Sequence, residues 1–212
     1  MKVKNNDEEF TFLCIYSKNT KILIVGGGNS ALIKAKSFLG KGFNVECVSP
    51  NFNEEFLQIK NERLKLIKEE FKDELIFQYH LVVICTNKEE VNSHIRDICD
   101  RNYKVYIDTT LPENSIATLC ATTSTKQVSI GLRTTNKSPK TAQFLVKKVR
   151  NYLINYDDYV YFATSIRNRI NNFPQKNQLL NFISSEDFLF FFKKSYGEAV
   201  LKLFYGGENF ES

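Results

Sequence analysis

Six consecutive residues, Gly26-Gly27-Gly28-Asn29-Ser30-Ala31, have the spacing G-x-G-x-x-A. They follow a continuous apolar run, Lys21–Val25, and open a stretch of helical periodicity. Glycine at 26 permits a tight turn, and glycine at 28 lets the backbone approach a diphosphate. The small Ala31 lets a helix pack closely on a strand. The amides of Asn29, Ser30 and Ala31 then face an anion from a helix N-terminus. In this strand–turn–helix setting the pattern points to dinucleotide binding.

The acidic ribose ligand expected about 20 residues further on is missing. The second strand candidate ends in Ser49-Pro50-Asn51, whose polar side chains can hydrogen-bond a ribose. Neither Arg nor Lys stands at that tip to clamp a 2′-phosphate, so the expected cofactor is NAD. Thr86 and Asn87 follow another apolar run, Leu81–Ile84. At that strand end they either contact cofactor or cap the following helix, and one residue can do both.

Other chemistry is thin. The five cysteines, Cys14, Cys47, Cys85, Cys99 and Cys120, form no C-x-x-C pair, and Cys47 and Cys85 sit in apolar runs as buried thiols. His80 and His94 have no partner at ligand spacing, so no metal site is expected.

The elements that must position these residues alternate. Strands are expected over Lys21–Val25, Asn44–Val48, 65–67, Leu81–Ile84 and 105–107. A helix over 29–40 carries Ala31, Leu32, Ala35, Phe38 and Leu39 on one side, and a second over Glu89–Arg101 carries Val91, Ile95 and Ile98. Strand–helix alternation predicts an α/β, Rossmann-like, doubly wound parallel sheet. An extra strand over 10–16 is expected at an edge. After Pro112, strands over 116–121 and 127–132 joined at Ser124-Thr125-Lys126 precede a helix opened by Ser138-Pro139, with helices alone after Tyr156. The expected organisation is an NAD-binding domain over 1–113, a strand–strand–helix dimerisation segment over 114–150, and an all-helical domain over 151–212.

Composition bounds the function. Of 212 residues, 42% are hydrophobic and 25% charged, which is globular and not disordered. The net charge of +5 is interleaved with acids and not gathered into a stripe, so nucleic acid is not an expected partner, whereas a small acidic substrate is favoured. No apolar run approaches the roughly 18–20 residues of a membrane span, and the polar residues 1–9 lack a signal peptide's apolar core. The expectation is a cytoplasmic protein with no membrane partner.

Several motifs together resemble one family. Val25-Gly26-Gly27-Gly28 with Ala31, Lys34 and Leu39 resembles the G-G-G-x-x-A-x-x-K opening of the siroheme-synthase dehydrogenases. Val48-Ser49-Pro50 with Glu55-Phe56, Ile84-Cys85-Thr86-Asn87 with Asn92, and Arg133-Thr134-Thr135-Asn136-Lys137-Ser138-Pro139 are similar to its later motifs, and Phe12-Leu13-Cys14-Ile15 to its leading strand. The resemblance spans about residues 10–155.

It implies an NAD-dependent precorrin-2 dehydrogenase making sirohydrochlorin on the route to siroheme, with ferrous iron as a further substrate in some members. It also implies a homodimer that exchanges the central segment, and a tetrapyrrole between the nucleotide and helical domains. Arg133, Lys137 and Lys140 would then meet the substrate's carboxylates, with ordinary surface charge as the competing role. Ser138 would lie near the substrate, and before a proline it is also a good helix cap. Many members carry N-V-V-D after the fifth strand. Here Asp108, one or two positions early, is the candidate catalytic base, with capping of the strand end as its competitor. Asn136 replaces the glycine of the S-T-x-G turn. The missing N-V-V-D leaves an alternative: a catalytically degenerate tetrapyrrole or nucleotide carrier.

Overall fold

The computed structural model describes residues 10–135, 138–170 and 174–206. They form two compact units, residues 10–119 and residues 120–206.

The first unit is a five-stranded parallel sheet of order β3-β2-β1-β4-β5. Its strands are β1 (Lys21–Val25), β2 (Asn44–Val48), β3 (Leu64–Ile67), β4 (Leu81–Ile84) and β5 (Val105–Asp108). Strand side chains alternate between faces, and here both faces are buried. Ile22 and Ile24 enter one core with Val45, Cys47 and Val83, while Leu23 and Val25 enter the other with Val48, Val82 and Ile84. The apolar stripe of α1 (Asn29–Leu39) covers the first face, and Ile95, Ile98 and Cys99 of α2 (Glu89–Arg101) cover the second. Each fully buried Ile or Leu contributes about 1.5–3 kcal/mol. The order reverses at β1, so the carboxyl ends of β1 and β4 flank a crevice.

Two strand expectations need correction. Residues 10–16 form no strand, and Phe10, Phe12, Leu13, Ile15 and Tyr16 are exposed: alternation alone makes no strand where no ladder partner is available. Residues 116–120 are likewise not a strand. The Ala117 amide donates to the Tyr106 carbonyl at 3.2 Å, and Ala117 and Leu119 pack on the first core, so the apolar pattern there serves the parallel sheet.

The second unit opens with an antiparallel hairpin, β6 (Ala121–Ser124) and β7 (Ser129–Leu132). Its turn is held by Asp157 at the start of α4 (Asp157–Arg169). The Asp157 carboxylate accepts from Thr125 Oγ1 at 2.6 Å and from the amides of Lys126 and Gln127 at 3.1 Å each. These bonds, Thr125 first, hold its pKa below the usual carboxylate value. Between hairpin and α4 runs α3 (Pro139–Leu153). The helices α5 (Lys176–Ile183), α6 (Glu186–Lys193) and α7 (Gly197–Tyr205) follow. Leu179, Ile183, Phe188 and Leu201 join Ile166 in this unit's core, and Ser185 caps α6 by accepting from the Phe188 amide. No described helix is long and apolar enough to cross a membrane.

Candidate functional site

The glycine turn is shaped by what a side chain would strike. Gly26 has φ +131°, and a Cβ there would lie 2.6 Å from the Cys85 carbonyl oxygen. A Cβ on Gly27 would lie 2.0 Å from the Asn51 carbonyl oxygen. At Gly28, by contrast, a Cβ would meet nothing within 4 Å. The first two glycines allow the loops after β1, β2 and β4 to close on one another, and the third leaves space open. Gly28 is also the N-cap of α1 and brings no capping side chain, so the first-turn amides stay available to an anion.

That space belongs to a cavity of about 830 Å³ at the carboxyl ends of the strands. Its volume lies within the roughly 300–1,000 Å³ usual for ligand sites. Of the residues expected to bind cofactor, Gly26, Gly28, Asn29, Ser49, Pro50, Asn51, Thr86 and Asn87 line it. Ser30 and Ala31 do not. The Ser30 hydroxyl turns to Thr109 Oγ1 at 3.2 Å, and Ala31 is fully buried in the helix–sheet contact. Sequence reasoning passed over Glu70, Phe71 and Lys88, which also line the cavity. The signal available for the first two was their place just past β3, the neighbour of β2.

Hydrogen bonds fix the loops around the cavity. The Asn53 amide donates to the Gly27 carbonyl at 2.8 Å, and Asn53 Nδ2 donates to Asn29 Oδ1. Thr86 lines the cavity, and its Oγ1 accepts from the Lys88 amide at 3.2 Å, just before α2. The buried Asn92 accepts from Thr86 Oγ1 and donates from Nδ2 to the Thr86 carbonyl and to Thr110 Oγ1, both at 3.2 Å. One amide thus ties the β4 loop to the β5 end.

Asp108 lies inward, 1% exposed, and does not line the cavity. Its Oδ1 accepts from the Thr110 amide and hydroxyl, both at 2.7 Å, and from the Leu111 amide at 3.1 Å. Its Oδ2 accepts from Arg96 Nη1, and Arg96 Nη2 reaches Glu89. Burial pushes the Asp108 pKa up, but the bonds from Thr110, Leu111 and Arg96 outweigh it and hold the carboxyl below its usual value. A carboxylate so engaged ties the β5 end together. Burial pushes the nearby Cys85 thiol up, with partial offset from Thr109 and Ser30, so it stays protonated at neutral pH.

In the second unit Arg133 is half-buried and Lys140 exposed, while Lys137 and Asn136 lie outside the described residues. Ser138 occupies the N-cap position of α3, but its hydroxyl pairs with Thr141 Oγ1 at 2.8 Å and caps no amide. His80 Nδ1 accepts from the Lys21 amide, and His94 Nε2 meets Asp73 at 2.9 Å. Among the described residues no group of three or more His, Cys, Asp or Glu is gathered to hold a metal.

Residues 13–121, just over half the chain, match the family model described as "Putative NAD(P)-binding". The chain is 38% identical over 87 residues to a siroheme synthase of Psychromonas ingrahamii, a match covering 40% of this chain and 18% of that protein. It is 24% identical over 181 residues to a precorrin-2 dehydrogenase of Priestia megaterium, covering 81% of this chain and 87% of that one. Its fold resembles the solved structure of SirC, a precorrin-2 dehydrogenase, at TM-score 0.65 and 20% identity, over 92% of this chain and all of that one. The matched segment spans only about a fifth of the siroheme synthases.

Proposed function

The chain belongs to an NAD(P)-binding family, and on that premise we propose that it oxidises precorrin-2 to sirohydrochlorin with NAD⁺ in siroheme biosynthesis. The observation that carries this reading is the likeness to a precorrin-2 dehydrogenase that continues well past the NAD(P)-binding segment, into the hairpin and helices.

When bound, the nicotinamide supplies a hydride acceptor. The open space over Gly28 and the uncapped first turn of α1 fit a diphosphate. Asn29, Ser49, Pro50 and Asn51 line one part of the cavity, and Thr86 and Asn87 another. The substrate loses one hydride, to NAD⁺, and one proton, to water. Asp108 acts in this reading as a positioning residue, holding Thr110 and Arg96 at the β5 end. Arg133, Lys137, Ser138 and Lys140 are the proposed contacts for the tetrapyrrole's carboxylates, through charge-assisted hydrogen bonds. The working form is a cytoplasmic homodimer, a state favoured by the exposed Phe144, Leu145 and Tyr152 on α3.

Purified protein given precorrin-2 and NAD⁺ should yield the sirohydrochlorin absorbance together with NADH. Binding of both molecules without turnover would replace this reading with the carrier reading, which the engaged, inward Asp108 favours. The same assay with ferrous iron as a further substrate distinguishes dehydrogenation alone from dehydrogenation with chelation.

A further inference from the structure

The β2 tip lacks the carboxylate that usually holds the adenosine ribose. Two polar side chains of that loop are already engaged. Ser49 Oγ gives its proton to the Asn51 carbonyl at 2.7 Å, and Asn53 is used by the Glu55 amide and by Asn29. The neighbouring strand offers the missing group. β3 pairs with β2 up to Val48 opposite Ile67, and the Ser49 amide donates to the Ile67 carbonyl at 3.1 Å. The chain leaving β3 therefore runs beside the β2 tip, and Glu70 and Phe71 line the same cavity as Ser49, Pro50 and Asn51.

We propose that Glu70 is the specificity-determining residue that selects NAD over NADP, by accepting a hydrogen bond from the ribose 2′-hydroxyl and repelling a 2′-phosphate. This deepens the dinucleotide reading above and rests on it. Phe71 packs into the second core of the sheet and so anchors the residue before it. Glu69 is taken by Lys72 at 3.0 Å, whereas Glu70 is exposed and enters no ion pair among the described residues. Lys88, a cation lining the cavity, follows β4, on the far side of β1 from β3. Three strand spacings, about 14 Å, separate those strands.

Calorimetric titration of the intact protein with NAD⁺ and with NADP⁺ tests this directly. The native chain should prefer NAD⁺ by about tenfold or more. Glu70→Gln should cut that ratio by about tenfold, with NADP⁺ tighter and NAD⁺ weaker, and Glu70→Lys should invert it. Opposite movement of the two affinities is not what a general loss of structure produces. Glu69→Gln should leave the ratio unchanged. Equal native affinities, or a ratio indifferent to Glu70→Gln while NAD⁺ still binds, overturns the role of Glu70 alone. Binding of neither nucleotide overturns the dinucleotide reading and this inference with it.

Discussion

The Gly27 Cα faces the Asn51 carbonyl oxygen so closely that a methyl group there would lie 2.0 Å from it, and the Gly27 carbonyl accepts the Asn53 amide at 2.8 Å. The glycine turn and the β2 loop are therefore one interlocked wall of the cavity. The middle glycine, which the dinucleotide pattern leaves unspecified, is structural, and the third is open to ligand.

The two positions should separate stability from binding. Gly27→Ala forces the loops apart and should cost about 1–3 kcal/mol, a fall in Tm of roughly 2–10 °C. Gly28→Ala should stay within about 1 kcal/mol of the native protein, because its new methyl meets nothing. It should nonetheless weaken NAD⁺ by about tenfold or more, by filling the space a diphosphate needs. Thermal melts and calorimetry on both variants measure this. Native affinity in Gly28→Ala would move the anion site elsewhere.

Asp108 should make folding sensitive to acid. Its carboxyl binds its proton less tightly folded than unfolded. The stabilisation is therefore complete above the ordinary carboxylate pKa, near ~4, and fades as pH falls through the lower folded value. Asp108→Asn should flatten the loss of stability below pH ~4. Asp108→Ala, which leaves Arg96 without its buried partner, should cost about 3 kcal/mol or more at neutral pH. Urea unfolding across the acid range reads both effects. A native acid slope in Asp108→Asn would assign the dependence to other carboxylates.

The exposed side of α3 should carry self-association. Ala142 and Val146 are buried on that helix, while Phe144 (59% exposed), Leu145 (39%) and Tyr152 (61%) are not. Sedimentation should find a dimer, and Leu145→Glu with Tyr152→Glu should give a monomer by placing charge in the contact. A native monomer would remove the dimer from the proposed function.

Much of the first unit was legible in the residues. Residues 22–25 and Leu81–Ile84 are short and wholly apolar, and a strand buried on both faces has that pattern for a local reason. The helical stripe from Ala31 to Leu39 and the glycine turn are local too, since spacing along the chain alone fixes which side chains share a face. What needed the tertiary structure was every feature made by strands distant in sequence. The apolar 116–120 looked like a strand because periodicity does not say which core a segment serves, and it packs on the parallel sheet. Asp108 reads in the sequence as a candidate base or a cap of the strand end, with no sign of its ion pair, because its partner Arg96 sits on a separate helix and only the packing of α2 on β5 brings the two together. Glu70 escaped notice for the same reason: its distance from the glycine turn is long in sequence and short in space, because parallel strands bring their carboxyl ends to one edge. The sequence determined the core strands, the two helices packed on them and the glycine turn, because their patterns are local, and the strand order decided which distant side chains line one cavity.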